Sequence, residues 1–448
     1  MADVFTGAVS YSGQETTDLL LRPLAIGQNP IDTDYFRVKL GIKSGEKLNY
    51  IGAASKLLKT YVSGFNGVAG TVHTQRTLTT YKVKAEVYED GQVFFSTILE
   101  QLVGKDFNDL SDSELKGVIM NLFMNAVKDD IFRLAWLADP YAETLTTGLK
   151  NGVANTDYNQ LGSGVWKKMF ADASTTPSDT QIKRIDVNAT ITGGYVAQVQ
   201  TVTLTGTSGT CNVNVMGVNY LATYTGGSIT NTDAAFITSH AAALLLRGIV
   251  VTGTTTLIFT AAIPGEPFAA ITVSAAVSGD LTGSVAATTA NTPPSALAAG
   301  KSVDILKAMK NGSSQELRAV PKQNKVYLVS QTIYDNYETY LEGVSTDSGY
   351  KTTIGGIDFP TYSGIPVIPM KWDYHLDADF PHASGYLPAR IHRAILVEKG
   401  NLVIGFDNTD AFTSVDEWYN KDVEQNRFRS KFNFGVDYVH NKMITVAY

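Results

Sequence analysis

The stretch Ser111–Ala138, SDSELKGVIMNLFMNAVKDDIFRLAWLA, constrains the chain most. Leu115, Val118, Ile119, Leu122, Phe123, Ala126, Val127, Ile131, Leu134 and Ala135 follow the i, i+3, i+4, i+7 spacing of one helical face. Ser111 and Glu114 form a capping-box pair, each side chain able to satisfy an orphan backbone N–H. Pro140 stops the pattern because proline cannot donate to a helical ladder. At 1.5 Å per residue such a helix runs roughly 40 Å. A rod of that length needs a sheet or further helices along it, and it reads as a spine.

The flanking segments supply the sheets. Residues 1–40 have weak periodicity and turn-forming punctuation (GQNPIDTDY), the pattern of an extended arm that needs partners to order it. Leu48–Thr60, a glycine-rich tip (SGFNGVAG) and the alternating TYKVKAEVY from Thr80 suggest a long hairpin. In that last run Tyr81, Val83, Ala85 and Val87 face one way and Lys82, Lys84 and Glu86 the other, as in a half-buried strand. Gln92–Val103 reads as a short helix, and a second small helix is expected within Gly164–Ala173.

Composition changes sharply at Val187. From there to Ala296 the charged side chains are Asp233, Arg247, Glu266 and Asp280, in a background of Thr, Ala, Val, Gly and Ser. A Thr/Ser-rich linker is the plain alternative, but Val, Ile, Leu, Phe and Tyr recur at strand period throughout. TVTLTGTSGTCNVNVMGVNYLATYTGG predicts three short strands, TDAAFITSHAAALLL one helix ending near Gly248, and TLIFTAA and FAAITVSAAV further strands. The segments before and after lack complete cores of their own. Residues 187–294 therefore read as a β-rich module inserted into one discontinuous domain, with Pro293-Pro294 marking its end.

Beyond the module, ALAAGKSVDILKAMKNG predicts an amphipathic helix, KVYLVS a buried strand, and QTIYDNYETYLE a helix with Tyr334, Tyr337, Tyr340 and Leu341 on its apolar stripe. Pro360, Pro366 and Pro369 imply short or edge strands. RAILVEKGNLVIGFD reads as a hairpin about Gly400-Asn401. KFNFGVDYVHNKMITVAY alternates to Tyr448 with a turn at His440-Asn441, so its last strand is expected inside a sheet.

Sites of chemistry are sparse. There is no Walker A motif, GxGxxG fingerprint, GxSxG elbow or HExxH pair. The densest polar group is WDYHLDAD. If extended, Asp373, His375, Asp377 and Asp379 would share a face able to hold a divalent ion, against the plainer reading of an acidic surface loop. A metal-dependent enzyme built on those four residues is the weakest of the readings, and no catalytic, cofactor or metal residue is assigned. Cys211 is the sole cysteine, so no intrachain disulfide forms, which fits folding in a reducing compartment. The start MADVFTGAVSYSG lacks a basic n-region and an apolar core and is not read as a secretory signal. AAALLLRGIVV is too short to span a bilayer, so no membrane partner is expected. A net charge of −7 and a pI near 5.4 argue against broad nucleic-acid binding. Lys43, Lys47, Lys56 and Lys59 are the nearest thing to a basic patch and read as a solvated face.

The order of arm, hairpin, spine helix, PTYSGIPVIP, AILVEKGNLVIGFD and a terminal return strand resembles the major capsid proteins of tailed phages with the Hong Kong 97 fold. In them a G-I-P-V-I-P strand, here Gly364–Pro369, precedes an apical A-I-L…N-L-V-G-D pair, here Ala394–Asp407. DDIFRLAWLADP and VYLVSQTIYDNY are similar to capsid proteins of Bacteroidetes-infecting, crAss-like phages. The resemblance implies an α+β chain with an N-terminal arm (1–40), an extended hairpin loop (41–91), a spine helix and peripheral domain (92–186), the inserted module (187–294), an apical domain (295–425) and a return strand (426–448). It implies a non-catalytic homo-oligomer of pentamers and hexamers, assembled in the host cytoplasm into an icosahedral virion head around double-stranded DNA. The packaged DNA would be touched weakly and without sequence preference, and portal and decoration proteins are possible partners. A nanocompartment shell of the same fold is a minor variant, which the long chain and its module disfavour. A tail or surface adhesin binding glycans through the Thr-rich module is the competing class.

Overall fold

The structure is a computed structural model, and it describes residues 36–42, 45–53, 71–89, 114–141, 157–158, 162–187, 196–263, 265–292, 296–344, 351–354, 357–379, 392–407 and 415–448. The first part of the chain forms β1 (Phe36–Lys39), β2 (Glu46–Ala53), β3 (Thr71–Leu78), β4 (Tyr81–Glu89), α1 (Glu114–Leu137), α2 (Val165–Asp172), β5 (Ala173–Ser174) and β6 (Ile182–Ile185). Next come β7 (Val199–Thr205), β8 (Gly209–Val215), β9 (Val218–Thr223), α3 (Ile229–Leu246), β10 (Ile249–Thr252), β11 (Leu257–Ala261), β12 (Thr272–Val273), β13 (Ser278–Gly279) and β14 (Thr282–Thr289). The remainder is α4 (Lys301–Gly312), α5 (Gln315–Ala319), β15 (Lys325–Ser330), α6 (Gln331–Gly343), β16 (Lys351–Ile354), β17 (Ile357–Tyr362), β18 (Ile365–Met370), α7 (Trp372–Asp379), β19 (Ala394–Glu398), β20 (Leu402–Phe406), β21 (Val415–Asn420), β22 (Gln425–Tyr438) and β23 (Ile444–Ala447).

α1 is the predicted rod, and it ends before Pro140 as expected. Its buried stripe runs Ile119, Phe123, Val127, Ile131, Leu134 and Ala135, whereas Leu122 and Ala126 face solvent. From Ile131 to Ala138 only Arg133 escapes full burial, so this end of the helix is wrapped on every side. Two sheets share its core. The first has the order β1-β20-β22-β21, with β4 added along β22. The second is eight-stranded, β16-β17-β18-β15-β19-β23-β6-β5. Trp136, Trp166 and Trp372 meet edge to face between them, with centroids 5.1 Å apart in both the Trp136–Trp372 and Trp166–Trp372 pairs. Such contacts fix ring orientation beyond what burial alone does.

Several sequence expectations are corrected here. RAILVEKGNLVIGFD is not a hairpin: β19 pairs with β15 and β23, β20 with β1 and β22. Gly400, at φ 83°, turns the chain from one sheet into the other. The His440-Asn441 turn carries β22 into β23 across the same gap. Asn401 ties the two corners, its Nδ2 donating to His440 O (3.0 Å) while His440 N donates to Asn401 Oδ1 (2.9 Å). The terminal strand does lie inside a sheet, between β19 and β6. β18 is interior despite Pro366 and Pro369; its ladder to β17 is only two residue pairs long, so few donors are missed. Residues 36–39, assigned to the arm, form β1 at the edge of the first sheet, paired with β20, with Phe36 fully buried; residues 1–35 lie outside the described residues. The helix expected over Gln92–Val103 also lies outside them. On α6, Ile333 joins Tyr334 and Tyr337 in the buried stripe, and Tyr340 points outward at 39% exposure.

Residues 196–292 pack around a cluster of their own, including Val202, Val213, Phe236, Leu257 and Phe259. Two four-stranded sheets, β10-β11-β7-β14 and β12-β8-β13 with β9 on β8, pack with α3, which lies against β10, β9 and β7 and keeps an exposed face at Ala234, Thr238, Ala242 and Leu246. Ser228 caps α3 by accepting from Asn231 N, and Gly248, at φ 77°, ends it. The segment closes on itself at one antiparallel bridge, Val196 to Thr292, with mutual N–H···O contacts of 3.2 and 3.0 Å. Val187 packs instead in the cluster of α4, α6, β15 and β19, and Ile263 reaches into the main core beside α1.

Candidate assembly surface

Assembly of identical subunits needs exposed backbone or apolar surface that a second copy can cover. The first sheet presents both. Among the described residues β4 pairs only with β22, from Tyr81 opposite Phe434 to Glu89 opposite Asn426, leaving its outer edge open over nine residues. An open edge of that length is a template for another strand. The expected alternation holds only in the middle. Val83 and Ala85 pack on the core, whereas Tyr81 (37%), Val87 (39%) and Tyr88 (59%) are exposed.

The hairpin exists, but with a different return strand. β2 pairs with β3 over eight residue pairs, Glu46–Leu78 to Ala53–Thr71, as an isolated two-stranded sheet. TYKVKAEVY belongs to β4, beyond the two-residue link Thr79–Thr80. A two-stranded ribbon is marginal in water by itself, so its root matters. Ile42, Leu48 and Leu78 form a small buried cluster there with Val403. Gly405 and Gly435, paired in register across β20 and β22, leave room for that root. A Cβ on Gly405 would strike the Ile42 side chain, and one on Gly435 the Thr79 carbonyl oxygen.

Arg76 holds the ribbon from the other side. Its Nε donates to Asp437 Oδ1 (3.2 Å), and its Nη1 to Asp172 Oδ2 (3.0 Å) and Asn441 Oδ1 (3.4 Å). The guanidinium also sits 4.0 Å from the centre of the Tyr438 ring. Lys168 Nζ donates to Asp437 Oδ2 (2.9 Å) and Val436 O (2.6 Å), and the Tyr438 hydroxyl to Asp172. Burial opposes the charge of Arg76, but Tyr438, Asp437 and Asp172 outweigh it and raise its pKa. Burial likewise pushes the Tyr438 phenol up, so that hydroxyl stays a donor. The arrangement is a clamp between β3, α2 and β22. Nothing in the sequence signals it, since Arg76 and Asp437 are 361 positions apart.

The acidic segment WDYHLDAD does not gather. It is helix α7, so alternate residues do not share a face. Asp373 accepts from Thr332 N (3.1 Å), His375 Nε2 lies 3.8 Å from Asp129, and Asp379 accepts from the Tyr158 hydroxyl. Burial lowers the His375 pKa, which favours the neutral ring. The Asp377 side chain lies outside the described residues. Among the described residues no three His, Cys, Asp or Glu side chains are placed to hold a metal ion. Lys47 is exposed on β2; Lys43, Lys56 and Lys59 lie outside the described residues. No described helix is long and apolar enough to cross a membrane.

No protein-family model and no curated protein matches the sequence. Solved structures do match. The chain is 10% identical to a chain of the satellite phage P4 procapsid with its size determination protein, covering 98% of this chain and 92% of that one at a TM-score of 0.38. It is 9% identical to the capsid of an empty GTA particle (94% and 92% covered, TM-score 0.41). It is 11% identical to the capsid of the cyanophage P-SCSP1u (99% and 98% covered, TM-score 0.39). These neighbours are capsid chains. Superpositions this loose leave fold and function to be argued from the chain's own strands and surfaces.

Proposed function

We propose that the chain is a structural shell subunit, the major capsid protein of a tailed phage with the Hong Kong 97 fold. The carrying observation is the open edge of β4 beside a two-stranded ribbon clamped at its root by Arg76. An exposed edge with Tyr81, Val87 and Tyr88 on it is a liability for a monomer and an interface for a tile. The order of ribbon, rod and two-sheet body supports the sequence resemblance. In this reading the ribbon lies over a neighbouring subunit, residues 1–35 act as the arm, and the second sheet with α4 and α6 forms the apical domain. Residues 196–292 are an insertion facing outward. The subunit has no catalytic role; its copies, as pentamers and hexamers, enclose DNA in a virion head assembled in the host cytoplasm.

Electron microscopy of purified protein and of native particles tests this. Closed icosahedral shells are expected. Monomers or trimers that bind glycans would favour an adhesin, and a monomer that stays compact at high concentration would overturn the shell reading.

A further inference from the structure

The end of α4, α5, the short turn Lys322–Asn324 and the start of β15 surround an open cleft of about 390 Å³. Lys310, Arg318, Lys322 and Lys325 line it, and none of its lining residues is acidic or aromatic. Lys325 is 6% exposed. Its Nζ donates to Leu317 O (2.9 Å) and Arg318 O (3.2 Å), and its third hydrogen has no acceptor among the described residues. Lys310 Nζ donates to Ser363 Oγ (2.7 Å) on the opposite wall. The acids nearby are engaged elsewhere: Glu316 faces Lys442 and Asp304 faces Lys301. Glu398 is the register partner of Lys325 but is not part of the lining. Burial, and then Lys322 and Lys310, lower the Lys325 pKa, whereas burial raises that of Glu398; no carboxylate offsets the ammonium.

Four cations around a concavity, one of them buried, carry a charge surplus that no carboxylate among the described residues neutralises. Unpaired buried charge is costly, and a bound counter-charge removes that cost. The geometry points to a binding site for a small multivalent oxyanion of the phosphate class, held by Lys310, Arg318, Lys322 and Lys325. Charge-assisted N–H···O contacts are strong and suit phosphate oxygens. The aliphatic remainder of the wall, including Leu317, Ile365 and Leu396, has no ring on which a nucleobase could stack. The inference stands independently of the shell reading.

The test is calorimetric titration of the full chain with pyrophosphate at constant ionic strength. Saturable binding at one site per chain is expected, with inorganic phosphate competing. Lys310→Ala/Lys322→Ala removes two exposed cations and should weaken binding at least about tenfold. The charge-matched control Lys128→Ala/Lys421→Ala should stay within about twofold, since exposed charges remote from the cleft are screened. No saturable heat, or equal weakening by both double variants, overturns the proposal. So does binding seen only with a single-stranded oligonucleotide and not with pyrophosphate.

Discussion

Arg76→Ala should release the ribbon without unfolding the body. The substitution removes contacts to Asp437, Asp172 and Asn441 and the stacking on Tyr438. Breaking a buried ion pair costs about 3–5 kcal/mol, because the remaining charge stays desolvated. Here the Arg76 side chain is 24% exposed and Asp437 keeps Lys168, so the expected loss is smaller, about 2–3 kcal/mol. At 1.4 kcal/mol per factor of ten, local opening of β2–β3 becomes about 30- to 150-fold more frequent. Hydrogen exchange followed by mass spectrometry reads this directly. Amides of 46–53 and 71–78 should exchange faster while β15, β19 and β23 keep their protection. Arg76→Lys should recover only part of the protection, since an ammonium cannot reproduce the planar fork. Unchanged exchange in the ribbon, or uniform acceleration everywhere, would refute the clamp.

Asp233 is fully buried in α3, and neither carboxyl oxygen has a hydrogen-bond partner among the described residues; burial raises its pKa to about 6. The folded state therefore favours the protonated acid, so the contribution of Asp233 to stability is greatest below about pH 4 and is lost as pH rises through about 6. Asp233→Asn should stabilise residues 196–292 at pH 7 by up to about 3 kcal/mol and flatten that dependence, as melting curves from pH 4 to 8 would show. Gly435→Val drives a branched side chain against the Thr79 carbonyl and should cost about 2–3 kcal/mol, measured by denaturant unfolding; no loss would mean the β3–β4 turn is not seated there. Replacing residues 196–292 by a short Gly/Ser linker should leave a cooperatively folding body, weakened by about 1–3 kcal/mol through loss of Ile263; an unfolded product by circular dichroism would refute the insertion.

How legible each part was follows from how local its cause is. α1 announces itself because its buried face recurs along a single helix. β7, β8, β9 and α3 were likewise visible, since half-buried strands alternate and Gly248 marks a stop. The β19–β20 corner was misread because Gly400-Asn401 serves a hairpin and a sheet-to-sheet crossing equally well. Both strands are also buried on both faces, so alternation could not reveal their separate sheets. WDYHLDAD did carry a usable signal: Trp372, His375, Leu376 and Asp379 follow helical spacing, which the alternation of Asp and His masked. The Arg76 clamp and the Gly405–Gly435 clearance were not readable, because each depends on chain segments that only the finished topology brings together. The basic cleft lay closer to view, with its cations all between positions 310 and 325, yet their convergence requires the turn after α5.

The Val196–Thr292 bridge brings the two ends of residues 196–292 side by side. They lie one strand-pair apart, about 5.5 Å, while Ile263 in the main core and Arg247, 4.8 Å from the centre of the Tyr141 ring, add further contacts with the body. Any folded unit whose two ends emerge side by side meets the same spacing. On the insertion reading the position is a port for fusing an antigen, an enzyme or a fluorescent tag, provided the scaffold is repacked where Ile263 enters it.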